Sequence, residues 1–290
     1  MNRIHEGFVM ARNPYYPRLI HKYVLDPHLI DVLVFCTKNP EPMLKHMKEL
    51  KDYRMIWNVT ITPYGKDIEP NVPDKYQVIE AFRQLSERVG SRSIFWRYDP
   101  IFLNERYDLA YHLKAFEKMA ALLEGYTDKC IISFIDLYEK TKRNFPEVRE
   151  VEWKDQIELT SAFVKIAERH GIRILTCLEA KELENYGADS SGCLSQVLIE
   201  DALSIRLKPK KHLQTRQGCN CLLGNDIGAY NSCGHLCRYC YANYDRRLVL
   251  ENMKRHDPGS PLLIGNIEKD DEMREVKQES WIDEQITLFL

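Results

Sequence analysis

The stretch Asp74 to Pro100, DKYQVIEAFRQLSERVGSRSIFWRYDP, reads as a helix, its stop and a buried strand in succession. Asp74, directly after Pro73, is placed to cap a helix whose Val78, Ile79, Phe82, Leu85 and Val89 recur on one face. Gly90 ends it. Ser91 to Trp96 is then a short apolar run of strand length, closed by the polar group Arg97, Tyr98, Asp99 and Pro100.

The same unit recurs on both sides. Strand-like runs fall at Asp31 to Cys36, Tyr53 to Thr62, Lys129 to Phe134 and Gly171 to Cys177. Helical stripes lie between them: Leu113, Phe116, Met119, Ala120 and Leu123, ended by Gly125, and Ile157, Phe163, Ile166 and Ala167, ended by Gly171. Repeated strand and helix predict an α/β fold with a parallel sheet, and the chain length favours a TIM-barrel-like domain, complete or partial, over an open doubly wound sheet. In either, chemistry gathers where strands end. Those ends carry Thr37, Lys38 and Asn39; Thr62, Pro63, Tyr64 and Gly65; Arg97 and Asp99; and later Asp136 and Glu179. Arg97 offers a planar donor fork and Asp99 an acceptor or base, so the two are candidates for holding a substrate or moving a proton, with a mutual ion pair as the plainer reading. Lys38 is a catalytic candidate on the same grounds, against the plainer reading of a lysine stem lying along apolar surface.

With 41 Lys and Arg against 43 Asp and Glu, the 290-residue chain has no excess charge to imply nucleic acid or membrane partners, and no apolar run matches a signal peptide or a membrane span. The expected compartment is the cytoplasm. Nine cysteines in a reducing compartment argue for metal or redox chemistry rather than disulfides. Cys36, Cys130, Cys177 and Cys193 are scattered and read as core thiols. Five more crowd between Cys219 and Cys240. From about Lys208 a basic run (Arg206, Lys208, Lys210, Lys211, His212, Arg216) leads into Cys219-Asn220-Cys221, which suggests a β/α domain over 1–207 and a cysteine-rich iron-sulfur module with a tail over 208–290.

Cys233, Cys237 and Cys240, spaced by three and then two residues, can present three thiolates to one corner of a cubane cluster from a short loop entering a helix. This spacing resembles the signature of radical S-adenosylmethionine enzymes, with Tyr239 in the aromatic position before the third cysteine. The resemblance implies a [4Fe-4S] cluster on Cys233, Cys237 and Cys240, S-adenosylmethionine on its open iron with Tyr239 near the adenine, an electron donor as partner, and a 5′-deoxyadenosyl radical as product. Structural zinc is the competing metal, with Cys219, Cys221 or His235 as fourth ligand. The Cys219 and Cys221 pair has three readings: a second metal, completion of the first site, or packing. The neighbouring cations and Tyr230, Tyr239, Tyr241 and Tyr244 also allow a non-catalytic metal module that contacts nucleic acid or a protein partner, a reading weakened by the acidic stretch Glu268 to Glu275.

Over nearly its full length the chain is similar to the bacterial family known as domain of unknown function 1848. The segments that carry the likeness are Phe35-Cys36-Thr37-Lys38-Asn39-Pro40, Thr62-Pro63-Tyr64-Gly65, Trp96-Arg97-Tyr98-Asp99-Pro100-Ile101, and Asp226-Ile227-Gly228-Ala229-Tyr230 through Cys240-Tyr241-Ala242. The family name implies no substrate. Two departures are expected: the resemblance implies a leading strand and Arg-rich turn ahead of the segment matching Met1-Asn2-Arg3-Ile4, which this sequence does not include, and the cluster motif lies far from the amino end, without the glycine-rich methionine-binding segment of radical enzymes.

Overall fold

The computed structural model describes residues 1–210, 219–222 and 224–283. Lys211, His212 and Arg216 of the basic run lie outside them. A short helix α1 (Asn2–Glu6) precedes a hairpin of β1 (Phe8–Arg12) and β2 (Leu19–Val24). Then come β3 (Leu33–Thr37), α2 (Glu41–Leu44), β4 (Met55–Thr60), α3 (Lys75–Val89), β5 (Ile94–Ile101), α4 (Leu109–Leu123), β6 (Lys129–Phe134), α5 (Glu139–Asn144), α6 (Trp153–Arg169) and β7 (Arg173–Thr176). The chain continues through α7 (Gln196–Leu203), α8 (Arg246–Lys254) and β8 (Glu272–Glu275).

Five strands form one parallel sheet in the order β3-β4-β5-β6-β7. All five predicted runs are strands, and the anticipated caps are in place: the Asp74 carboxylate accepts from Tyr76 N–H at 2.9 Å, and Gly90, at the positive φ of 86°, ends α3 with its N–H donating to Ser86 O at 2.8 Å. Asp108 caps α4 in the same way, accepting from Tyr111 N–H at 2.7 Å.

Period-two alternation divides the strand residues between two cores. Trp57, Val59, Ile94, Trp96, Cys130, Ile132 and Ile174 pack with Phe82, Phe116 and Phe163 of α3, α4 and α6. Phe116 stacks on both Trp96 and Phe163, with centroids 4.8 and 4.0 Å apart. On the opposite face Ile56, Phe95, Ile131 and Leu175 pack against Leu198, Ile199 and Ala202 of α7 and against Leu207, Cys219, Cys221 and Leu222. Here the described strands depart from a complete barrel, while the expected parallel β/α order stands. The face a barrel would turn inward toward further strands is covered by α7 and the 219–222 stretch, so the described strands make an open sheet with β3 and β7 at its edges.

A second sheet joins the two ends of the described chain. β1 pairs antiparallel with β2, and β2 pairs parallel with β8 through Leu19 to Glu272 and onward to Lys22 and Glu275. Arg12 grips the Asp271 carboxylate with two bonds, at 2.5 and 2.7 Å, beside this seam. No helix among the described residues is long and apolar enough to cross a membrane.

Candidate metal and cofactor site

The loops after β4 and β5 hold the cysteine loop against the carboxyl end of the sheet. Asn71 donates from its side chain to Gly234 O at 2.8 Å and from its backbone to His235 O at 3.3 Å, and Arg238 N–H donates to Ile68 O at 3.0 Å. Asn243 Nδ2 closes the loop on itself by donating to Cys233 O at 2.9 Å. Asn231 and Leu236 take positive φ (both 55°), which lets a short run reverse direction twice. The cysteines thus lie in successive turns, and α8 begins only at Arg246, so the loop does not enter a helix directly as the spacing suggested.

Cys237 and Tyr239 point inward, into a core of Tyr64, Ile68, Phe102, Tyr107, Ile135 and Phe145, with Cys240 packed at its margin and Cys233 exposed. At the centre is Glu69, a buried carboxylate that sequence reasoning passed over. Its Oε1 accepts from Lys38 Nζ at 2.9 Å, from Thr62 Oγ1 at 2.5 Å and from the Tyr239 hydroxyl; its Oε2 accepts from Lys75. Burial alone would raise its pKa, but the charges of Lys38 and Lys75 and the bonds from Lys75 and Thr62 outweigh that and hold it at about 2. Lys38 also stands over the Tyr239 ring, 5.5 Å from the centroid. Tyr239 is therefore sealed at its hydroxyl by Glu69 and covered on one face by Lys38.

The three thiols feel one another electrostatically, and the Lys38 cation acts on Cys233 and Cys237. Burial pushes the Cys237 thiol up to about 12 against that pull, so it carries a proton until something displaces it. Among the described residues no three His, Cys, Asp or Glu side chains stand in preformed metal-holding geometry. The donor set nevertheless fits an iron-sulfur cluster in kind: three thiols on one short loop, one side open at Cys233, and a lysine placed to offset negative charge. The His235 ring Nδ1 lies 3.2 Å from Asn71 O.

Arg97 and Asp99, two residues apart on one strand, share a face and bind each other: Nε and Nη2 donate to Asp99 Oδ2 at 3.0 and 2.5 Å. Period two puts them on the Phe95 side, the α7 side, where Arg97 lies near Cys177 and Cys193. Lys38 and the Arg97–Asp99 pair thus occupy two separate polar groups at the same end of the sheet. Glu179, beyond β7, accepts from Phe134 N–H at 2.9 Å, and burial pushes it up to about 8.

An open parallel sheet with helices on both faces, and a thiol-bearing loop closing the polar ends of its strands, defines a mixed α/β protein with a cysteine-lined site. The chain belongs to the family described as Domain of unknown function (DUF1848), whose model matches residues 1–242. No curated protein matches it. Among solved structures it is similar to a spore photoproduct lyase complexed with dinucleoside spore photoproduct, at 15% identity and a TM-score of 0.38. The match covers 49% of this chain and 50% of that one, so the chain spans about half the length of the lyase.

Proposed function

We propose that Cys233, Cys237 and Cys240 hold a [4Fe-4S] cluster and that the protein is a radical S-adenosylmethionine-type enzyme. The observation that carries this reading is the docking of the three-cysteine loop onto Glu69 and its lysines, which places thiols, cations and an aromatic ring together at the strand ends. When bound, the cluster supplies the electron for reductive cleavage of the sulfonium. The chain's own residues bind and orient. Lys38 offsets thiolate charge, Glu69 fixes Lys38, Lys75 and the Tyr239 hydroxyl, and the core of Tyr64, Phe102 and Phe145 excludes water from the inner side. Glu69 is a positioning residue in this scheme. Tyr239, the residue before the third cysteine, is the proposed contact for the adenine. Arg97 and Asp99 are proposed to hold the substrate from the α7 side of the sheet, and an electron donor is the partner that approaches Cys233.

The test is anaerobic purification with iron and sulfide analysis, followed by incubation with S-adenosylmethionine and a low-potential reductant. The expected result is about four irons and four sulfides per chain, and 5′-deoxyadenosine on reduction. Cys237→Ala should lose the cluster. Arg97→Ala should keep the cluster and its iron while slowing turnover. A full cluster in Cys237→Ala overturns the ligand assignment, and a cluster that never yields 5′-deoxyadenosine overturns the enzyme.

A further inference from the structure

Four other cysteines gather on the face of the parallel sheet that α7 covers. Cys177 follows β7, Cys193 lies in the loop leading to α7, and Cys219 and Cys221 come from the stretch that crosses that loop. Three of the sulfurs form a row, Cys177 to Cys193 at 3.3 Å and Cys193 to Cys221 at 3.4 Å, and Cys219 is buried in the same cluster beside Cys221. All four line one small cavity with Thr176, Glu179, Ser190 and Asn220.

We propose that Cys177, Cys193, Cys219 and Cys221 bind a single zinc ion as a tetrathiolate site, independent of the 233–240 loop. Four sulfurs at about 2.3 Å from a zinc ion lie about 3.8 Å apart in a tetrahedron. The observed 3.3 and 3.4 Å contacts are those of protonated thiols sharing S–H···S bonds, and need to open by only about 0.4 Å on metal binding. The sulfurs stand in a row and not yet around a point, consistent with the absence of preformed metal geometry among the described residues. Side-chain rotation and loss of protons complete the site: one Zn²⁺ replaces four thiol protons and leaves a centre of charge −2. The surroundings suit that charge. The Arg97 cation acts on both Cys177 and Cys193, the kind of outer charge that steadies metal thiolates. Leu222 N–H donates to Leu194 O at 2.8 Å, which holds the Cys193 and Cys221 segments in register.

A buried cysteine by itself is an ordinary small apolar residue. Here thiols from three separated stretches converge, and a single ion explains why. Sulfurs this close suit one shared ion better than a cubane, whose cysteines each bind a different iron.

The test uses the full chain grown with zinc and purified anaerobically with a thiol reductant, with metal content measured by mass spectrometry. The expected result is about one zinc per chain, kept when Cys233, Cys237 and Cys240 are all changed to Ala and reduced at least tenfold in Cys193→Ser with Cys221→Ser. Because the double variant bears on folding too, cobalt(II) is titrated into zinc-stripped wild-type protein, where the intense visible bands and sulfur-to-metal charge transfer of a tetrahedral four-thiolate site are expected. Wild-type protein that holds no zinc and gives no such cobalt spectrum overturns the proposal. So does a Cys177–Cys193 disulfide in the anaerobic protein, a lone iron in place of zinc, or zinc lost with the 233–240 cysteines and kept without Cys193 and Cys221. Failure of the iron-sulfur reading leaves the zinc result untouched, since the triple variant separates the two.

Discussion

Glu69 carries the densest set of contacts of any single side chain at the site, and its removal tests what a buried carboxylate does between two ammonium groups. In Glu69→Gln, Lys38 and Lys75 lose their shared anion in a poorly solvated place, which should cost about 3 kcal/mol in urea unfolding; a cost below about 1 kcal/mol would mean that water reaches both lysines. His112 gives a pH signature instead. Its ring is fully buried, with Nδ1 2.8 Å from the Tyr98 hydroxyl and Nε2 3.0 Å from Phe102 O, so the neutral tautomer that accepts from Tyr98 and donates to Phe102 satisfies both. Burial lowers its pKa to about 4. The unfolded chain, with a histidine pKa of about 6.5, binds the proton first, so stability falls as pH drops between about 6.5 and about 4, by up to about 3 kcal/mol. His112→Gln should flatten that part of the stability–pH curve relative to wild type; an unchanged slope would assign it to carboxylates. Neither residue was legible beforehand. Glu69 is one acid among 43, and its weight comes from Tyr239, 170 positions away.

Elements were more legible than residues. α3 was readable at both ends because Asp74 and Gly90 act locally, through a side-chain cap and a positive-φ stop. β5 runs past Trp96 to Ile101, beyond the apolar stretch, because Arg97 and Tyr98 continue the ladder with β6 and a register shift then brings Ile101 opposite Phe134. The docking of α7 on the sheet turns on Lys129, the first residue of β6, whose side chain is wholly buried. Its ammonium reaches Asp128 at 2.7 Å and Asp201 of α7 at 3.6 Å, and lies over the Phe95 ring at 5.2 Å. Both aspartates are partly exposed, so they regain water if the lysine goes. Lys129→Met, which fills the same space, should therefore cost no more than about 1 kcal/mol, while Lys129→Ala should cost about 3 kcal/mol through the cavity. Equal losses in thermal unfolding would show that charge, not volume, seats the helix.

At the scale of the molecule, the periodic pattern announced alternating strands and helices but was silent on closure. Whether a sheet curls into a barrel depends on what covers its second face, and that cover is α7 with the 219–222 stretch, whose apolar side is too short to be told from a loop in sequence. The cysteine groups divide in the same way. Cys233, Cys237 and Cys240 are legible because they are close in sequence; Cys177 and Cys193 read as isolated core thiols until the fold brings Cys219 and Cys221 to them. The seam of β2 with β8 has a consequence for how the chain comes to be made. On the ribosome β1 and β2 emerge some 250 residues before the strand that completes their sheet, so the hairpin waits as a two-stranded ribbon while those residues are made. Such ribbons are marginal in water, and an open strand edge is a place for wrong pairing. Pulse-labelled hydrogen exchange during refolding should accordingly find the amides of β2 protected after those of β4, β5 and β6; protection at the same time would mean that the hairpin holds on its own.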